Sequence, residues 1–251
     1  MKKYLTLFLA AILLFLIGFG AYSLSRARKA GLTFTNTMEW NDSYLAKSTD
    51  TPLYIPNFKQ YIKLDPPPAN SSQETKEEIN SLLVHQKKRT KDQISIINDQ
   101  ILPETTYFGG QIMDSYFHSK LRPHTALALN QAFADLSIVL FYEKAHFDRV
   151  RPSALDFRIK PAIPVPGHPA YPSGHSTEFH FLSLFLGELR PEDKESLWAE
   201  ADTIAKNREI AGLHYPSDSL AGAKLAEQVF VLLLANPEFK ALFEDARTEW
   251  R

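Results

Sequence analysis

Between Thr125 and Val150 apolar residues recur at helical intervals. Leu129, Phe133, Leu136, Leu140 and Phe147 are spaced by fours, a three and a seven, and Pro152 closes the run. Side chains at these intervals share one face of an α-helix, and a proline cannot continue it. The same reading predicts helices from about Gly174 to Leu189, Glu192 to Ala211 and Ser219 to Leu234. Pro237 opens a last short helix carrying Phe239, Leu242 and Phe243. No alternating pattern of useful strand length occurs, and no internal repeat. The expected fold is all-α, a compact helical bundle.

Upstream the pattern is looser. Ser71 and Glu74 are spaced as a capping box. From Thr75 to Leu102 the residues Ile79, Leu82, Leu83, Ile94, Ile97 and Ile101 stand among charges. This predicts one helix with a narrow apolar stripe, stopped by Pro103. Its run from His85 to Arg89 is expected to be a solvated face. Residues 32–70 mix Asn, Asp, Ser and Thr with aromatics and end in Pro66, Pro67 and Pro68, a stiff extended lead-in. Residues 158–172 hold five prolines and one glycine and are expected to form a long structured loop.

Met1, Lys2 and Lys3 precede an apolar run from Tyr4 to about Leu24, followed by Ser25, Arg26, Ala27, Arg28 and Lys29. A basic start before such a run reads as a secretory signal, and the run is also long enough to anchor the chain in a bilayer. Residues 1–24 are therefore expected to be a signal peptide or membrane anchor, with residues 4–24 as the tether. Residues 25–61 form a loop-rich N-terminal arm, and residues 62–251 the remaining domain. The protein is expected to be exported, periplasmic or otherwise extracytoplasmic. The formal net charge of −1 offers no surface for nucleic acid, so any anion site must be a local cluster. The chain has no cysteine, which excludes disulfides, thiolate metal sites and cysteine nucleophiles.

Such a cluster is legible in three segments. Lys144 and Arg151 lie seven residues apart, two helical turns, on one face near a helix end. Arginine offers a fork of donors that matches phosphate oxygens, and lysine a point charge. Pro172, Ser173, Gly174 and His175 precede a strongly apolar helix. Ser173, Gly174 and His175 would then sit at a helix N-terminus, where free N–H groups favour an anion. Arg208, His214 and Asp218 follow around a turn. A carboxylate that accepts one imidazole N–H leaves the other nitrogen as a nucleophile. Asp218 also suits the cap of the next helix. Singly, each of these residues is equally compatible with a surface or capping role. Jointly they supply what phosphoryl transfer needs, positioning and positive charge. No clustered carboxylates or paired histidines stand at a metal-ligand spacing, so no metal is expected.

The pattern Lys-x6-Arg-Pro, then Pro-Ser-Gly-His, then Arg-x5-His-x3-Asp resembles that of the type 2 phosphatidic acid phosphatase (PAP2) superfamily. That group includes bacterial class A non-specific acid phosphatases, lipid phosphatases and vanadium-dependent haloperoxidases. The chain departs from the pattern at Asn207, where the family has Ser. The stretch Leu64 to Ser71 and the tail from Asn236 are similar to the class A acid phosphatases, so the resemblance covers roughly residues 62–251. It implies a PAP2/haloperoxidase-type helical fold and a phosphomonoesterase with no cofactor. It also implies His214 as nucleophile, His175 as general acid and Asp218 as the orienter of His214. Lys144, Arg151, Ser173, Gly174 and Arg208 are implied as phosphate ligands, and a small phosphorylated molecule as substrate. Two alternatives follow from the same resemblance. One is a haloperoxidase holding vanadate on His214. The other is a lipid or isoprenoid-pyrophosphate phosphatase at a membrane surface. His146, His168, His180 and Glu178 are expected to lie outside the chemistry, with His168 of the proline-rich loop at the surface or else lining the mouth of the site.

Overall fold

The computed structural model describes residue 22, residues 25–101 and residues 121–250. The apolar leader and most of the 104–123 stretch fall outside these. The described residues contain helices and no strand. In chain order the helices are α1 (Asp42–Lys47), α2 (Phe58–Tyr61), α3 (Gln73–Lys88), α4 (Lys91–Asp99), α5 (Pro123–Phe147), α6 (Pro152–Leu155), α7 (Gly174–Leu189), α8 (Lys194–Ile210), α9 (Pro216–Ala235) and α10 (Pro237–Arg247). Short 3-10 turns precede α8 and follow α10.

Helix α7 is apolar on nearly every side, and it lies at the centre. Phe179, Phe181, Leu182, Phe185 and Leu186 are all buried. It packs along its length against α8 and α9, while α10 lies on α5. Leu197, Ala201 and Ile204 of α8 and Leu225, Val229 and Leu233 of α9 complete one core with Leu129, Leu136 and Leu140 of α5. Helix α5 is long and apolar enough to cross a bilayer, but half of its most apolar window is buried inside the fold, as in a core helix.

One glycine sets the approach of α9 to α7. A Cβ on Gly222 would stand 2.7 Å from Ser176 Cβ and 2.8 Å from the Ser173 carbonyl oxygen. Without it the helices close until the Ser176 hydroxyl donates to the Ser219 carbonyl at 2.6 Å. The Ser173 N–H donates to the Asp218 carbonyl at 2.9 Å. This close approach brings two of the sequence motifs together.

The upstream helix differs from expectation. It is two helices: Arg89 is extended (φ −61°, ψ 133°), and Thr90 starts α4 with a capping box to Gln93. The break has a tertiary cause. Arg89, half-buried, reaches across to donate to the carbonyls of Lys160 (2.6 Å) and Ile210 (3.4 Å). It is therefore not part of a solvated face. The cap of α3 is Ser72 and not Ser71: its hydroxyl accepts the Thr75 N–H at 3.1 Å. Helix α5 ends at Phe147, ahead of the proline. The loop over residues 158–172 has no helix, as its prolines require.

Residues near the termini are tied to α5. Asp135, buried in its middle, accepts the N–H groups of Leu53 and Tyr54, each at 2.7 Å. Phe34, Ile55 and Phe58 of the arm are buried. The Glu249 carboxylate accepts the N–H groups of His124 (2.8 Å) and Thr125 (2.9 Å), so an anion occupies the positive end of α5.

Candidate active site

Three turns deliver the side chains. The first follows α5. Lys144 lies in its last turn, and Asp148 closes the helix at φ 44°, a left-handed conformation that Asp tolerates better than most residues. Its carboxylate accepts the backbone N–H (3.1 Å) and hydroxyl (2.9 Å) of Thr35. The redirected chain buries both Arg149 and Arg151. Lys144 Nζ donates to the carbonyls of Pro169 (3.0 Å) and Pro172 (2.5 Å). Burial first, and Arg151 second, push its pKa well below the usual lysine value, against the pull of Asp218 and Glu178.

The second turn starts α7. Ser173 is the N-cap, and its hydroxyl accepts the Ser176 N–H. A Cβ on Gly174 would lie 4.0 Å from Lys144 Cε, so the helix N-terminus and the lysine face each other. His175 Nε2 lies 3.1 Å from the Gln100 carbonyl. A carbonyl only accepts, so Nε2 carries the proton in this contact. Burial, followed by the Arg208 cation, pushes the His175 pKa down to about 3.

The third turn joins α8 to α9. Gly212 reverses the chain at φ 76°, a region that favours glycine. Beyond it His214 Nδ1 donates to Asp218 Oδ2 at 3.2 Å. The same oxygen accepts the Tyr215 N–H at 2.9 Å. Asp218 therefore caps α9 from its first turn and orients the imidazole at once. Arg151 Nη1 donates to the Leu213 carbonyl (2.9 Å) and to His214 Nε2 (3.0 Å). A guanidinium cannot accept, so Nε2 presents its lone pair and Nδ1 holds the proton. Burial lowers the His214 pKa well below the usual value, and Arg151, Lys144, His175 and Arg208 lower it further. The three segments thus meet around His214.

Arg208 Nη2 donates to the carbonyl of Ile97 and to Gln100 Oε1, both at 2.8 Å. Asn207 Nδ2 reaches the same Gln100 oxygen at 3.2 Å. The Asn that replaces the family's Ser is thus joined to Arg208 through Gln100. The end of α4 turns its carbonyl oxygens, the negative pole of the helix, to Arg208 and His175.

Three residues of this site were not singled out from the sequence, and a fourth, His168, is expected from it to lie outside the chemistry. Gln100, fully buried, is one glutamine at a helix end, and no sequence signal marks it. Glu78 and Arg149 form a buried ion pair at 2.9 Å, and Arg149 also pairs with Asp218. Here a signal existed: Glu78 occupies the apolar stripe of α3 with Thr75, Ile79 and Leu82, where a carboxylate requires a partner. His168 is half-buried against Arg151 and lines the site instead of standing on the open surface. Its Nδ1 lies 3.1 Å from Arg151 Nη2, its carbonyl accepts Arg151 Nε–H at 3.0 Å, and its ring packs on Tyr44 and Phe141. Ser176, His180 and Asp202 also line up (3.2 and 3.0 Å), but the Ser176 hydroxyl is committed to the Ser219 carbonyl. Among the described residues no three His, Cys, Asp or Glu gather as a metal site.

Residues 120–240 match the model of the PAP2 superfamily. That segment is similar to the PAP2 superfamily over just under half of the chain. It contains Lys144, Arg151, Ser173, Gly174, His175, Arg208, His214 and Asp218, whereas Glu78 and Gln100 lie outside it. A non-specific acid phosphatase of Providencia stuartii is 31% identical over 81 residues, 32% of this chain and 33% of that protein. One of Salmonella typhimurium is 34% identical over 80 residues, 32% of each chain. The matched part therefore spans about a third of the length of these curated relatives. A bacterial vanadium-dependent iodoperoxidase of known structure superposes with a TM-score of 0.66 at 20% identity, covering 79% of this chain and 58% of its own. The PAP2 segment thus sits in an all-α fold shared with that enzyme.

Proposed function

We propose that the protein is a phosphatase that hydrolyses phosphomonoesters through a phosphohistidine on His214, with no metal. One observation carries this reading: His214 holds its proton on Asp218 and turns its Nε2 lone pair to Arg151. That is a nucleophile already beside a phosphate-binding fork.

A substrate phosphate accepts from Arg151, Arg208, Lys144 and the N–H groups at the start of α7. Arg151 transfers its Nη1 donor from Nε2 to a phosphate oxygen, which frees the lone pair. Nε2 attacks phosphorus in line, the N–P bond forms and the P–O bond to the alcohol breaks. His175, as imidazolium, gives its proton to the leaving oxygen. Burial among cations disfavours the imidazolium, and the phosphate charge reverses that balance on binding. Water, deprotonated by His175, then attacks phosphorus. The N–P bond breaks, and phosphate leaves with both imidazoles restored. Four positive or N–H sources surround the equatorial oxygens, which is the electrostatic work a metal does elsewhere. Residues 4–24 would export the chain or tether it to a membrane. The acid phosphatase relatives support this reading.

The test is turnover of p-nitrophenyl phosphate with EDTA present, together with quenching in alkaline detergent to trap protein-bound phosphate. Full activity with EDTA and acid-labile phosphate lost in His214→Ala support the proposal. Turnover that stops with EDTA refutes it. So does halide oxidation by peroxide after vanadate loading with no phosphatase activity.

A further inference from the structure

Arg149 is held on every side by protein groups, and it lies behind Asp218, on the carboxylate oxygen that His214 does not use. Its Nη1 donates to Asp218 Oδ1 (2.5 Å) and to the Ser217 hydroxyl (2.7 Å). Its Nη2 donates to Glu78 Oε2 (2.9 Å), and its guanidinium lies 3.8 Å over the Tyr215 ring. Glu78 uses its other oxygen to accept the Ser217 N–H at 2.7 Å. Arg149, Glu78 and Asp218 are all buried.

We propose that Arg149, anchored by Glu78, is a positioning residue that fixes Asp218 and thereby the tautomer of His214. Asp218 has two oxygens with separate duties. Oδ2 takes the His214 and Tyr215 N–H groups, and Oδ1 is held by Arg149. Without the second hold the carboxylate can rotate about its Cβ–Cγ bond, and Nδ1 loses its defined acceptor. Glu78 has a separate task. A lone buried guanidinium would neutralise Asp218, whereas two carboxylates around one guanidinium leave a net negative charge behind the imidazole. That charge favours the imidazole N–H on the Asp218 side and the developing positive charge on a phosphorylated ring. Burial works against the Arg149 charge, but Asp218, Tyr215 and Glu78 outweigh it and raise its pKa. Glu78 also makes the nucleophile depend on α3, outside the PAP2 segment.

The assignment of kinetic effects rests on the phosphatase reading, but the tautomer does not. The experiment therefore measures the His214 ring nitrogen shifts by NMR and, in parallel, kcat and KM for p-nitrophenyl phosphate. Variants are Arg149→Met, Arg149→Lys and the milder Glu78→Gln, each checked by circular dichroism and melting. Partners that orient a reacting imidazole are worth about 10- to 100-fold at metal sites. Arg149→Met is expected to lower kcat by about that factor with KM nearly unchanged, and to move His214 from one tautomer to a mixture. Arg149→Lys, which keeps the charge and loses the fork, should recover part of kcat. If Arg149→Met fails to fold, Glu78→Gln decides through the same readouts, with a smaller change. Unaltered His214 shifts in a folded variant, or a loss confined to KM, would overturn the proposal. If the wild type hydrolyses no phosphomonoester but the variants still shift the His214 nitrogens, the phosphatase reading fails and the positioning role stands.

Discussion

Arg151 Nη1 and His214 Nε2 lie 3.0 Å apart, donor to lone pair. The arginine thus marks the nitrogen that faces the proposed anion site, and Asp218 marks the one that does not. Everything expected of the chemistry depends on keeping these two nitrogens distinct.

Asp218→Asn tests that distinction. An amide presents N–H to either Arg149 or His214 and cannot accept from both. The wrong tautomer becomes favoured. In a Ser-His-Asp triad the equivalent change costs about 10⁴-fold in kcat. A loss of at least about a thousandfold is expected, with the helical circular dichroism retained. Steady-state kinetics beside the spectrum check this.

The pairing of Asp218 with His214 was readable because it is local: four residues apart across one turn. The same holds for the helices over Gly174–Leu189 and α9, whose apolar content is dense enough to declare itself. What could not be read is non-local. Gln100 reaches Arg208 across 108 positions, and Arg149 reaches Glu78 across 71. Periodicity reports which face of a helix is buried and says nothing of which distant residue meets it. The α3–α4 break shows the same limit, since the carbonyls that draw Arg89 inward belong to residues 160 and 210.

His175 makes stability pH-dependent. In the unfolded chain a histidine titrates near 6.5, while in the fold burial and Arg208 push His175 down to about 3. Between those values the unfolded chain holds a proton that the folded chain lacks, so stability falls as pH drops through that window. Glu143 acts in the opposite sense. Burial raises its carboxyl to about 7, so the folded state gains a proton first as pH falls toward the unfolded value of 4.5. The His175 effect must therefore be read as a difference. Melting temperatures of His175→Gln are expected to decline less than those of the wild type from pH 6.5 toward pH 3.

Gln100 gives a separate test of Arg208. Gln100→Ala removes the acceptor shared by Arg208 and Asn207, leaving buried donors to find another partner. A hydrogen bond to a charged group is worth about 1.5–3 kcal/mol, so phosphate binding should weaken by about tenfold or more as the fork loses its register. Gln100→Glu should weaken it further, because a carboxylate competes with phosphate for the same guanidinium. Inhibition constants for inorganic phosphate give the ranking wild type, then Ala, then Glu. An unchanged constant in Gln100→Glu would contradict it.

Gly222→Ala probes the contact that joins two of the three turns. Alanine is the better helix former by about 1 kcal/mol. Here its Cβ would meet Ser176 Cβ at 2.7 Å and the Ser173 carbonyl oxygen at 2.8 Å. The second is backbone and cannot swing aside. Overpacking of this kind costs about 1–3 kcal/mol, which exceeds the helical gain over most of that range. The melting temperature should fall by several degrees, at about 2–4 °C per kcal/mol for a domain of this size. Moving α9 off α7 also moves Asp218 relative to Ser173, whose N–H donates to the Asp218 carbonyl. Activity at a temperature where the variant is fully folded should therefore fall as well. A variant that melts earlier yet keeps full kcat would show that the site tolerates this separation.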